Sequence, residues 1–161
     1  MNTPIISSLA HMPQSWTDET VSALAITLIL LINTITDLHH RQVILSFTVM
    51  GAMFGLAQSI ATGRSPADLI PALFPGLFLI AFSLLTSNAL KRKSAIGCGD
   101  GIVITALGFF MSPLLILSLC AFAFLIAAVP AGILLIRRHR KTESMPFLPF
   151  LLTAWGILLI S

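Results

Sequence analysis

Charge is scarce: only 9% of the 161 residues are Asp, Glu, Lys or Arg, where an ordinary globular domain has about 25%. With 57% hydrophobic residues and a mean hydropathy of +0.99, the chain has too little polar surface to coat a water-soluble sphere. Disorder is excluded as well, because a disordered chain needs low hydrophobicity and high charge. Cysteine is nearly absent. Cys98 and Cys120 cannot make a tetracysteine zinc site or a disulfide framework, and Cys120, inside an apolar run, reads as a small core residue. No Ser/Gly-rich linker, low-complexity tract or internal repeat divides the sequence, so residues 1–161 read as one domain. Asp18 and Glu19 stand where a secretory signal would carry basic residues, so no cleavable signal peptide is expected. The basic residues form short clusters between apolar runs, Lys91, Arg92 and Lys93 in one and Arg137, Arg138, Arg140 and Lys141 in another. Such clusters read as topology signals rather than a nucleic-acid patch. What remains is an integral membrane protein.

A spanning helix needs roughly 20 mainly apolar residues to cross a core of about 30 Å. The apolar runs predict an all-α, polytopic bundle of about six transmembrane helices, near 19–36, 43–61, 68–90, 101–111, 113–136 and 146–160. Pro71 and Pro75 fall in the first turns of the third, where early amides lack helical partners anyway. The stretch 101–136 would be roughly 54 Å long as one helix, too long for one crossing, and Ser112-Pro113 breaks it into a short fourth helix and a fifth. Under a six-helix count, eight of the nine Lys and Arg residues share one face and only Arg64 lies opposite. Both termini are then periplasmic, with Arg41, Arg92 and Arg138 cytoplasmic.

Of six acidic residues, Asp18, Glu19, Asp68 and Glu143 read as solvated interfacial charges in terminal or loop positions. Asp37 and Asp100 differ. They fall at the end of the first helix and the start of the fourth, at the same membrane face. Each has a structural reading: Asp37 pairs with Arg41 one turn on, and Asp100 is the N-cap of the fourth helix. Each also has a functional one, because ionisable groups at membrane depth are costly and mark function. Gly97, Gly99 and Gly101 surround Asp100; a cap alone does not need three glycines, which allow close approach and unusual φ values. Two carboxylates brought together can share a proton, one acting as general base for a water while the other polarises a carbonyl. That chemistry needs neither metal nor cofactor.

Three segments, in order, resemble the type IV prepilin peptidases, which are GxGD intramembrane aspartyl proteases. They are Asp37-Leu38-His39-His40-Arg41-Gln42-Val43, then Gly97-Cys98-Gly99-Asp100 with Ala106-Leu107-Gly108, and then Met145-Pro146-Phe147-Leu148-Pro149-Phe150. The resemblance implies that Asp37 and Asp100 are catalytic, with Gly97, Gly99, Gly101, Arg41, Pro146 and Phe147 in support. It implies an endopeptidase of the bacterial inner membrane that removes the short basic leader of a prepilin or pseudopilin, with pilus or secretion machinery as further partners. The short first loop and the lack of a CxxC motif are similar to the compact, peptidase-only branch, without methyltransferase activity. Ile44 and Leu45 replace the family's usual Pro and Asn, Ile102 replaces a Lys, and Leu148 replaces a Gly. The missing lysine bears on substrate handling or on tuning of the pair.

Two rival readings come from other classes: a non-catalytic subunit of a pilus or secretion assembly, and a small proton-coupled transporter. Transport is disfavoured because the second, fifth and sixth spans lack ionisable residues. His39 and His40 read as interfacial polar residues, since no partner set with ligand spacing accompanies them. Asn33, one turn before Asp37, either hydrogen-bonds toward the site or makes a polar helix–helix contact. Ser83, Thr86, Ser87 and Asn88 suit a water-accessible pocket or simple packing, and Trp16 and Trp155 read as interfacial. The charge asymmetry makes one direct prediction: reporter fusions at Arg64 and Arg138 should report opposite compartments, and a shared compartment would overturn the six-helix count.

Overall fold

A computed structural model describes residues 14–40, 42–90, 97–136 and 146–160. Among them run six helices: α1 (Gln14–His40), α2 (Leu45–Ala61), α3 (Pro66–Leu90), α4 (Cys98–Gly108), α5 (Pro113–Ile136) and α6 (Leu148–Ile160). The structure is an all-helical bundle, as the apolar runs predict. Arg41, Lys91, Arg92, Lys93 and the cluster from Arg137 to Lys141 lie outside the described residues.

Three helices, α1, α3 and α5, are long and apolar enough to cross a membrane. The other three are shorter. The 11 residues of α4 amount to roughly 16 Å, about half of a hydrocarbon core. The outward surface is apolar: Phe74, Phe78 and Phe82 form an exposed ladder along α3, with ring centroids 6.0 and 6.3 Å apart. Such a surface suits lipid, and the core beneath it is built from Leu30, Ile104, Leu107, Ile116, Leu119 and Leu151, all fully buried.

Helix α1 buries one stripe, Ile26, Ile29, Leu30, Asn33, Thr34 and Asp37, which repeats at the three-and-four spacing of one helical face. It runs on to His40, so Asp37 sits inside the last turn rather than beyond the helix end expected near residue 36. The expected placement of the α3 prolines also needs correcting. The helix begins at Pro66, so Pro71 and Pro75 lie in its interior. Pro75 and Gly76 are buried, and α4 packs over this stretch more extensively than any other pair of helices in the bundle.

That packing is backbone against backbone. A Cβ on Gly101 would stand 3.0 Å from the Gly76 carbonyl oxygen, and one on Gly108 would stand 2.6 Å from that of Ala72. A Cβ on Gly76 would in turn strike Thr105. Small residues on both helices allow this approach, the usual device for helix association in lipid.

A half-length helix ends with orphan carbonyls far from water. Here Arg64 of the α2–α3 loop and Ser59 near the end of α2 supply the donors. The Arg64 guanidinium donates to the carbonyls of Gly108 (3.3 Å), Phe109 (3.1 Å) and Met111, and the Ser59 hydroxyl donates to Phe109 (2.7 Å). Burial pulls the guanidinium below its usual pKa, and the nearby Asp68 carboxylate opposes that shift. The cation also complements the negative end of the helix dipole. Arg64 is therefore a cap for the C-terminal end of α4. Replacing it with Met strands those carbonyls and should cost about 1.5–3 kcal/mol. Gly108→Val should cost at least as much by overpacking. Thermal denaturation in detergent, set beside an exposed control such as Ile160→Val, checks both.

Candidate active site

Asp100 lies in the first turn of α4. Gly97 is the N-cap residue, with extended backbone at ψ 142°, and Asp100 is the third residue after it. Its carboxylate Oδ2 accepts from the Gly97 N–H at 3.2 Å, while the Asp100 N–H donates to the Gly97 carbonyl at 3.1 Å. Asp100 is thus not the N-cap that its position suggests. It closes the first turn from inside the helix, the carboxylate half of a capping box.

The glycines around it serve different ends, and none has a positive φ; Gly63 alone does among the described residues. Gly101 lies on α3, as described above. Gly99 faces the α1–α2 connection, where a Cβ would come within 2.7 Å of the Val43 side chain. At Gly97 the closest atom to an added Cβ is Asp100 Oδ2 at 3.5 Å, an ordinary contact. Close approach of backbone accounts for two glycines, and unusual φ values for none.

Asp37 reaches the same region from α1. Each carboxylate residue is 8% exposed, and Asp37 lies near enough for its charge to act on Asp100. Asn33 fixes the chain beside Asp37. It is fully buried; its Nδ2 donates to the Ile29 carbonyl at 2.9 Å. Its Oδ1 accepts from the Ile44 N–H at 3.1 Å and from the Thr48 hydroxyl at 3.3 Å. Asn33 is therefore the polar clamp between α1 and α2, and Ile44 gives that clamp an N–H that a proline would lack.

The other expected residues are placed as follows. Phe147 is buried with its ring 4.9 Å from that of Phe124, in the core between α5 and α6, and Pro146 beside it is half-buried. Arg41 lies outside the described residues. His39 and His40 are exposed in the last turn of α1, and among the described residues no three His, Cys, Asp or Glu side chains cluster. Ser83 is buried, and the Thr86 hydroxyl donates to the Phe82 carbonyl at 2.8 Å. Trp155 departs from its interfacial expectation: it is buried, and its Nε1–H donates to the Thr27 hydroxyl at 2.9 Å, tying α6 to α1. Cys120 is buried in the core.

A cavity of about 330 Å³ opens at the opposite end of the bundle, lined by Glu19, Gln58, Arg64, Phe109, Met111 and Trp155 among others. Eighteen residues of helix, roughly 27 Å, separate Glu19 from Asp37. The ionisable lining residues of the cavity are Glu19 and Arg64, and Arg64 is engaged in capping α4.

A family model, described as the type IV leader peptidase family, matches residues 24–136. The chain belongs to that family. No curated protein and no solved structure matches the chain significantly. The matched stretch takes in both Asp37 and Asp100 and the whole of α2 to α5, and stops before the Met145–Phe150 segment and α6. Membership of a leader peptidase family, together with three apolar helices long enough to span, makes this a membrane protein of peptidase type.

The clamp at Asn33 makes a prediction about the frame around Asp37. Asn33→Leu removes the acceptor shared by the Ile44 N–H and the buried Thr48 hydroxyl, which should lower stability by about 1 kcal/mol or more. Ile44→Pro removes the donor instead and should act in the same direction. Melting temperatures of the two variants and of the double variant check this; a double variant no worse than either single one identifies them as partners.

Proposed function

We propose that this member of the type IV leader peptidase family is an active, membrane-embedded aspartyl endopeptidase. Its substrates are prepilins or pseudopilins, from which it removes a short basic leader after a glycine at the cytoplasmic face of the inner membrane. The observation that carries the reading is the approach of two buried carboxylates, Asp37 and Asp100, from separate helices within the family-matched stretch. A second negative charge in a poorly solvated site is strongly disfavoured, so such a pair holds one proton between its members. The ionised carboxylate takes a proton from water as the water oxygen attacks the scissile carbonyl carbon. The protonated partner gives its proton to the carbonyl oxygen. The tetrahedral diol then collapses, the C–N bond breaks, and a proton passes to the leaving amine. No metal or cofactor enters these steps.

In this reading both termini are periplasmic, and the ends of α1 and α4 that bear the carboxylates face the cytoplasm, where a basic leader remains under the positive-inside rule. One observation favours the rival of a non-catalytic subunit: Asp100 Oδ2 is already engaged with the Gly97 N–H, a purely structural use. Asparagine separates the two, because its side-chain oxygen still accepts that bond but cannot ionise. Co-expression with candidate prepilins, scored for leader removal at matched protein levels, should show that Asp37→Asn and Asp100→Asn each lose roughly a thousandfold or more. The double variant should be scarcely worse, since residues acting as one unit are non-additive. Cleavage should persist in chelator. Substantial cleavage by both single variants would eliminate the aspartyl mechanism and favour the structural subunit.

A further inference from the structure

Threonines in helices usually return their hydroxyl to the carbonyl one turn back, and those of this bundle do. Thr27 donates to Ala23 at 2.7 Å, Thr36 to Ile32 at 2.9 Å, Thr105 to Gly101 at 2.8 Å and Thr153 to Pro149 at 2.8 Å. Thr34 does not. It is 5% exposed, and its Oγ1 has no hydrogen-bond partner. A buried hydroxyl without a partner is costly, and bulk water is not at hand within a membrane bundle to relieve it.

The position of this hydroxyl points to what it serves. Thr34 lies on the buried stripe of α1, one turn before Asp37. Asn33 occupies the flank of the stripe that faces α2, through Ile44 and Thr48. Thr27, two turns before Thr34 on the same side, bonds Trp155 of α6, so Thr34 lies on the flank toward α6. Asp37 falls between the two flanks, and Asp100 comes to it from α4. Side chains three apart on a helix are neighbours, with Cβ atoms about 5–6 Å apart, so that one water making two bonds of about 2.8 Å can reach polar groups on both.

We propose that Thr34 is a water-positioning residue: its hydroxyl and the Asp37 carboxylate together hold the water that attacks the substrate. The proposal rests on the aspartyl peptidase reading and adds a residue to it. Thr34 Oγ1 accepts a hydrogen bond from one O–H of the water, and the second O–H of the water donates to the carboxylate. The oxygen lone pairs are thereby left for the scissile carbonyl carbon. The hydroxyl is neither acid nor base and no bond to it forms or breaks; it orients the nucleophile.

Kinetics on the full chain in lipid vesicles tests this, with a peptide of basic leader, glycine and apolar segment as the probe substrate. Thr34→Val keeps the shape and removes the hydroxyl, and should lower kcat about 10- to 100-fold with KM unchanged; Thr34→Ser should stay within about threefold of the original rate. Wild-type kcat in Thr34→Val overturns the proposal, while loss of cleavage in Asp37→Asn shows that the aspartyl reading still stands. Cleavage surviving in Asp37→Asn overturns that reading instead. Where Thr34→Val folds poorly, or the starting protein cleaves no probe, an experimental structure that resolves waters decides. A water bridging Thr34 Oγ1 and Asp37 is expected, and a dry contact overturns the proposal.

Discussion

The contact on which the rest depends is the backbone-to-backbone docking of α4 on α3. A side chain at Gly101 or Gly108 would press on the carbonyls of Gly76 and Ala72, so α4 keeps this depth only with glycine at both positions. Asp100 lies in the first turn of that helix. Its position is therefore inherited from α3. The carbonyls at the end of this 11-residue helix take their donors from Arg64 and Ser59 of the α2–α3 region. The cation and Gly108 meet at one end of α4, and Gly101 docks the other on α3.

What was legible in the sequence was the part governed by strong average rules. Long apolar runs give helices, and charge is so costly in lipid that two carboxylates between such runs stand out. Asp37 and Asp100 were readable for that reason. The structure brings both to one region, within a stretch that a leader peptidase family model matches. The short α4 was readable too, because 101–136 is the wrong length for either one crossing or two full ones.

The remainder depended on partners that no local pattern names. Arg64 looked like the odd charge on the far face, and its role follows only once Gly108, Phe109 and Met111 end a helix beside it. Trp155 obeyed the composition of an interfacial belt, yet its N–H found the Thr27 hydroxyl across the α1–α6 seam. The glycines around Asp100 suggested close approach and unusual φ values; two of them do give close approach, to Val43 and to α3, and none has a positive φ. Asn33 had two readings that the sequence could not separate, and α2 supplied the donors that decide for the helix clamp. Thr34 carried no signal at all. An orphan hydroxyl is a property of its three-dimensional neighbours, which no sequence pattern encodes.

The two carboxylates come from helices that touch each other little; α1 packs mainly on α6 and α2, and α4 mainly on α3 and α2. The element common to both frames is α2, which carries neither carboxylate. It meets α1 through Asn33 and through Gly51, where a Cβ would press on Ile29, and it meets α4 through Gly55 against Phe109 and Phe110. Its Gln58 reaches back to the Ser22 hydroxyl of α1 at 2.7 Å, while Ser59 beside it caps α4. Glycines on successive turns of α2 thus let it lie close to both partners at once. Packed cores transmit small shifts rather than absorb them. The separation of Asp37 from Asp100 is consequently set through α2 as well as α3, although α2 itself carries no ionisable side chain.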